Sequence, residues 1–178
     1  MHYRCGDFLD ANFKGITGGH HLLSFRYFSR FIKNATWGLS DIVLMGNREL
    51  HAAKPEFAKT CRMLFHELKD YLAKVTGATI HVAPEADGRV AIARDTRCLS
   101  QSKVLVIGST TSTFAYWQTL LHDGCVSYQP FFNNSRLFSQ HRLHDRQQFV
   151  LAEKDRDLVD VRSAASLGAI LAQITDTT

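Results

Sequence analysis

Two short segments of the chain carry residue types and spacings that suit the binding of an anion. The first, HYRCGD at residues 2–7, sets an arginine beside a turn glycine and a carboxylate. The second, STTST at residues 109–113, is a run of five small hydroxyl residues directly after an apolar segment that ends at Gly108. Together they predict a site for a phosphate-bearing ligand.

The hydroxyl-rich segment suits phosphate because it joins a predicted strand to a predicted helix. Backbone N–H groups in a first helical turn point toward a ligand, and the helix dipole adds partial positive charge there. Gly108 would allow close approach of the backbone. One of these hydroxyls is also expected as an ordinary N-cap, so a purely structural role is the alternative.

In the first segment, Arg4 could give phosphate a permanently charged, bidentate fork of donors. If residues 2–4 form a strand, Arg4 and Asp7 lie at its carboxyl end, where ligands of parallel sheets gather. Arg4 equally suits an ordinary surface position, and His2 equally suits a buried histidine with no ligand.

The elements that would position these residues alternate along the chain. Apolar runs predict strands at 41–46, 78–83, 103–108 and 125–130, and helical periodicity covers 55–77, 87–102, 111–124 and the end of the chain from about 161. The segment 133–148 is predicted as loop. This alternation predicts an α/β fold with an open, mostly parallel, Rossmann-like sheet and helices on both faces.

The apolar spacing within each helical segment predicts which face is buried. The segment 55–77 has apolar residues every three to four positions, with Pro55 at its start and Gly77 just past its end. For the weaker helix at 87–102, the expected inward face is Val90, Ala93, Arg97 and Cys98, and for the helix after the hydroxyl run it includes Phe114 and Trp117.

Composition limits the classes of protein to which the chain can belong. With 178 residues it fits one domain, residues 1–178. The net charge of +4 comes from scattered Lys and Arg, so nucleic-acid binding is not expected. The sequence contains no apolar run of 18 residues, so membrane contact from this segment is not expected.

The cysteines and histidines predict neither a metal site nor a disulfide framework. The four cysteines lie far apart in sequence, without the short CxxC spacing of zinc sites, and buried free thiols are the expected state. The nine histidines include no HExxH motif. We therefore expect no bound metal.

The two segments also resemble a known family. HYRCGDF is similar to the motif H-x-R-x-G-D that opens the donor-binding, C-terminal half of fucosyltransferase-like glycosyltransferases of the GT-B fold. CLSQSKVLVIGSTTSTFAYWQTLL at residues 98–121 resembles the late motif of that half. The resemblance covers roughly residues 1–128.

This resemblance implies roles for particular residues. Arg4 would contact the donor diphosphate and act in catalysis. For the general base, Asp7 is the candidate from its position near the same edge, and His20 or His21 or a residue of the missing partner domain are the alternatives. The remaining donor-binding positions would be His2, Gly6, Asp95, Ser112, Thr113 and Phe114. Asp95 would contact the guanine or ribose, although a solvated helix carboxylate is the alternative for this residue.

The resemblance further implies a GDP-sugar donor, with GDP-fucose expected, and transfer of the sugar to a glycan or protein acceptor without a metal cofactor. It also implies an N-terminal, acceptor-binding partner domain outside residues 1–178. The alternatives are a non-catalytic nucleotide-sugar-binding module or a truncated, inactive fragment. A complete membrane-anchored transferase of this kind would be expected in the Golgi lumen, and another form in the cytoplasm.

Overall fold

The structure is a computed structural model that describes residues 1–5, 9, 21–32, 40–46, 55–86, 88–108, 113–118, 126–131, 147–151, 157–160 and 166–175. Within these ranges the chain forms eight strands and five helices. The strands are β1 (His2–Tyr3), β2 (His21–Leu23), β3 (Asp41–Leu44), β4 (Thr79–Val82), β5 (Val104–Gly108), β6 (Val126–Phe131), β7 (Gln147–Leu151) and β8 (Leu158–Asp160). The helices are α1 (Phe25–Ile32), α2 (Pro55–Thr76), α3 (Gly88–Gln101), α4 (Thr113–Gln118) and α5 (Leu167–Thr175).

Parallel pairing dominates the strands. The largest sheet has the order β1-β5-β6-β7 and every pair in it is parallel, while β3 and β4 form a second parallel pair. The strands β2 and β8 pair separately and antiparallel. The chain is therefore an α/β protein with parallel sheets, as its alternating pattern predicts.

Backbone hydrogen bonds join the β3–β4 pair to β1. His2 forms a parallel bridge with Met45, directly after β3. The N–H of Tyr3 donates to the carbonyl oxygen of Met45 at 2.8 Å, and the N–H of Met45 donates to that of Met1 at 2.8 Å. The short strand β1 therefore lies between β3 and β5.

Buried side chains form two clusters that β1 and β5 separate. The larger cluster packs α1, α2 and α5 against Tyr3, Leu44 and Val106. The smaller one contains Leu105 and Ile107 of β5, together with residues of α3 and α4. Because neighbouring residues of a strand point to opposite faces, the helices cover both faces of the parallel strands.

The helix α2 follows the predicted pattern. Its buried positions recur every three to four residues, and they are Thr60, Cys61, Leu64, Phe65, Leu68 and Leu72. It ends just before Gly77, whose φ of +68° is the left-handed conformation typical of a residue that terminates a helix.

The predicted inward face of α3 is wrong. Val90 is 66% exposed, and Ala93, Arg97 and Cys98 are exposed as well. The buried positions are instead Ala91, Asp95 and Leu99, which are spaced at four-residue intervals. The sequence pattern pointed to the wrong face because the true inward face contains a charged residue.

Other differences concern elements that the pattern did not predict. The structure has β2 and α1 in the first third of the chain and β8 at residues 158–160. The last helix is predicted to begin at about residue 161, and in the structure it begins at Leu167. The strand β7 begins at Gln147, inside the predicted loop 133–148. The strands β2 and β8 have only three residues each, which is too short for periodicity to mark them.

Candidate functional site

The carboxyl ends of β1 and β5 lie side by side. Tyr3 and Gly108, the last residues of the two strands, are register partners in a parallel pair. Arg4 follows directly after Tyr3 and is half-buried. The backbone thus brings the start of the arginine-containing segment and the start of the hydroxyl-rich segment to the same edge of the sheet.

Close packing around β1 requires a glycine at the end of β5. A Cβ atom on Gly108 would stand 2.6 Å from the carbonyl oxygen of His2, closer than real Cβ contacts allow, and at a tight 3.1 Å from the Phe28 ring. Gly46 lies on the other side of β1, where a Cβ atom would stand 2.0 Å from the carbonyl oxygen of Tyr3. Both glycines permit the neighbouring backbones to approach β1 closely.

His2 connects β1 to the beginning of α4. Its side chain is buried, with the residue only 7% exposed, and its ring centroid lies 5.9 Å from that of Phe114. Burial, with the positive charges of the amino terminus and of Arg4, lowers the pKa of His2 from 6.5 to about 3. His2 is therefore a neutral imidazole near pH 7.

The Nδ1 atom of His2 has no hydrogen-bond partner among the described residues. A buried polar atom without a partner is unfavourable and is often satisfied by a ligand or a water molecule. Because the imidazole is neutral, it could offer a hydrogen bond to a ligand but no charge.

A disulfide fixes the backbone next to Arg4, and it overturns the prediction of free thiols for this pair. Cys5 at the end of the first segment is bonded to Cys61 of α2, and both residues are fully buried. The sequence separation of 56 residues gave no signal for this pairing. Among the described cysteines, Cys98 is free and exposed.

Asp95 is buried, so the alternative that it is a solvated helix carboxylate is wrong. The residue is 7% exposed on the inward face of α3. Its carboxylate accepts hydrogen bonds from Nε of Arg94 at 2.8 Å and from Nη2 at 2.6 Å. Arg94 also donates to the carbonyl oxygen of Pro84, two residues after β4. The role of Asp95 in contacting the guanine or ribose of a nucleotide stays a prediction.

The helix α4 contributes one expected contact and one unexpected exposure. Phe114 is half-buried and packs against the smaller cluster, as predicted. Trp117 was expected in the core, but it is 58% exposed. Gln118, one turn after Phe114, is buried, and its Oε1 has no hydrogen-bond partner among the described residues. Gln118 gives no signal in the sequence, because a single amide in a short helix belongs to no motif and to no apolar pattern.

Several predicted site residues lie outside what the structure describes. These are Gly6, Asp7, His20 and Ser112; for Thr113 and His21 the backbone is described but the side chain is not. The structure therefore brings together His2, Arg4, Gly108 and Phe114 among the candidates, while Asp95 lies in the middle of α3.

Two further properties concern the described residues as a set. They contain no group of three or more His, Cys, Asp or Glu side chains that could hold a metal ion. None of their helices has both the length and the apolar character needed to cross a membrane.

A cavity of about 460 Å³ lies at the opposite edge of the sheet, next to the amino ends of β3 and β5. Its position does not coincide with the candidate site.

Comparisons with known protein families, with curated proteins and with solved structures returned no match.

Proposed function

We propose that the chain is the donor-binding domain of a glycosyltransferase that binds a GDP-sugar, with GDP-fucose as the expected donor. The observation that carries the proposal is the parallel pairing of β1 with β5, which brings Arg4 and the segment after Gly108 to one edge. The motif resemblance supplies the ligand class, and the geometry supports a shared anion site.

The order of the strands supports a Rossmann-like interpretation of the fold. Counting the bridge from His2 to Met45, the parallel strands lie in the order β4, β3, β1, β5, β6, β7. Without the antiparallel pair, this is the order 3-2-1-4-5-6 of doubly wound nucleotide-binding domains. In such sheets the ligand binds where the order reverses, which here is between β1 and β5.

In the proposed mechanism, the sugar is transferred with inversion through an oxocarbenium-like state. The guanidinium of Arg4 stabilises the negative charge that accumulates on the departing diphosphate, and hydroxyls of residues 109–113 add hydrogen bonds. Neutral His2 contributes a hydrogen bond, so Arg4 carries the charge in this part of the site. Asp7 is the candidate general base, in a segment that the structure does not describe.

The disulfide supports the compartment that such an enzyme would need. Disulfides persist in oxidising environments such as the secretory pathway and are rare in reducing ones. The Cys5–Cys61 bond therefore favours the Golgi lumen over the cytoplasm.

Calorimetric titration with GDP tests the site. We expect a dissociation constant in the micromolar range, near 8 kcal/mol of binding free energy. Arg4→Ala should weaken binding at least tenfold, since a charge-assisted hydrogen bond contributes about 1.5–3 kcal/mol. Arg97→Ala is the matched control, because it removes the same charge from the exposed face of α3. If Arg4→Ala changes the affinity by less than a factor of two, the phosphate role of Arg4 is wrong.

Labelled GDP-fucose separates an enzyme from a binding module. Transfer to an acceptor, or slow hydrolysis of the donor, would support the transferase. Binding of GDP without any turnover would favour a non-catalytic nucleotide-sugar-binding module, and absence of GDP binding would overturn both.

A further inference from the structure

The residues on either side of Arg4 contact the same helix. Tyr3 packs edge-on against the ring of Phe65 in α2, with the ring centroids 5.6 Å apart. Cys5 is bonded to Cys61, which lies one helical turn before Phe65 in the same helix. Both Tyr3 and Cys5 are fully buried. These two side chains therefore lie on the face of the sheet that α2 covers.

The spacing of these two contacts indicates that the chain stays extended after β1 ends at Tyr3. Two residues of an extended chain span about 6.6 Å, and four residues of a helix span about 6 Å. The step from Tyr3 to Cys5 therefore matches the step from Phe65 back to Cys61. Because neighbouring side chains of an extended chain point to opposite faces, Arg4 points away from α2.

His2 marks the face to which Arg4 points. As the residue before Tyr3 in β1, it also points away from α2, and its ring centroid lies 5.9 Å from that of Phe114 at the start of α4. After burial and the charge of the amino terminus, the positive charge of Arg4 is a further cause that lowers the pKa of His2. This effect agrees with a guanidinium on the same face as the imidazole.

We propose that the Cys5–Cys61 bond positions the anion site, because it holds residue 5 on α2 and thereby turns Arg4 toward the start of α4. The strand β1 ends at Tyr3, so its ladder does not extend to Arg4, and the covalent bond fixes the position that follows. This inference rests on the proposed function, and it adds that the phosphate lies on the face of His2 and Phe114.

Cys5 and Cys61 act through Arg4, since both are buried on the opposite face of the sheet. Without the bond, the residues after Tyr3 would gain conformational freedom, and a ligand would have to order them when it binds. That ordering opposes binding. Loss of the bond should therefore weaken anion binding although every group that contacts the anion is still present.

Calorimetric titration with GDP compares two variants that both weaken the packing of α2. The double variant Cys5→Ala with Cys61→Ala removes the bond. Leu68→Ala is the matched control, because it truncates a fully buried side chain two turns after Cys61 and keeps the bond. We expect the affinity for GDP to fall about tenfold in the double variant and to stay within a factor of about two in Leu68→Ala. Equal losses in the two variants would overturn the proposal.

Trypsin supplies a second measurement that needs no ligand. The rate of cleavage between Arg4 and Cys5, followed by mass spectrometry, is divided by the rate after Arg97, an exposed residue of α3 that reports general opening of the fold. This ratio should rise about fivefold or more in the double variant and stay unchanged in Leu68→Ala. An equal ratio in these two variants would contradict a positioning role.

A second pair, Cys5→Val with Cys61→Ala, keeps an apolar contact at the same place without the bond. It should regain stability relative to the first pair but not the affinity of the parent chain, and parental affinity would overturn the role of the bond. Failure of both pairs to fold, as judged by circular dichroism, would show that the bond serves the fold itself and would also overturn the proposal.

The two measurements separate this inference from the proposed function. If the parent chain binds no GDP while cleavage after Arg4 rises only in the double variant, the proposed function is wrong and the positioning of Arg4 is confirmed. If the parent chain binds GDP and the folded double variant binds it equally well, the positioning role is wrong and the proposed function is supported.

Discussion

The carbonyl oxygen of His2 lies so close to Gly108 that a Cβ atom at that position would stand only 2.6 Å away. This contact joins the end of β5 to the strand that begins the arginine-containing segment. The edge where we propose that an anion binds therefore depends on a glycine, and the role of that glycine in packing can be tested separately from binding.

Gly108→Ala is expected to destabilise the fold by about 1–3 kcal/mol, because the added methyl must displace backbone or the Phe28 ring. Urea unfolding measures this loss. Gly168→Ala in α5 is the matched control: its nearest neighbouring atom would be Oγ of Ser166 at 3.8 Å, and alanine favours a helix over glycine by about 1 kcal/mol. Equal stabilities of the two variants would contradict the close approach.

Removing the disulfide is expected to lower the free energy of unfolding by about 4 kcal/mol, from the chain-entropy relation for a loop closed over 56 residues. The double variant Cys5→Ala with Cys61→Ala avoids leaving a lone buried thiol, and urea unfolding gives the value. Cys98→Ala, at an exposed position, should change it little. A double variant within 1 kcal/mol of the parent would argue against a stabilising Cys5–Cys61 bond.

Much of the architecture could be predicted because local sequence patterns indicate its helices and strands. The helix α2 and the strand β5 follow from periodicity and from a continuous apolar run, and their order predicts parallel strands. For β1 the sequence offers only the possibility of a strand at residues 2–4, and the structure has this strand at His2–Tyr3. Its pairing with β5 depends on contacts about a hundred residues apart, which no local pattern contains.

The errors have a common physical origin in tertiary context. The inward face of α3 contains Asp95, whose burial is offset by two hydrogen bonds from Arg94, and a pattern of apolar residues cannot anticipate such a pair. Trp117 is exposed although large aromatic residues are usually buried. The Cys5–Cys61 bond depends on how α2 packs against the end of β1.

The buried state of His2 makes stability depend on pH in a defined window. Burial lowers the pKa of His2 to about 3 in the folded state, against 6.5 for an unperturbed histidine. Between these values the unfolded chain binds a proton that the folded chain does not, so the free energy of unfolding falls as pH decreases. This one group contributes roughly 1.4 kcal/mol per pH unit below pH 6.5. Urea unfolding of the parent chain and of His2→Asn between pH 7.5 and about 5 should show that the substitution flattens the slope by this amount. If the parent and His2→Asn show the same slope, the pKa of His2 is not lowered by folding, and the buried, neutral state of this imidazole between about pH 5 and 6.5 is wrong.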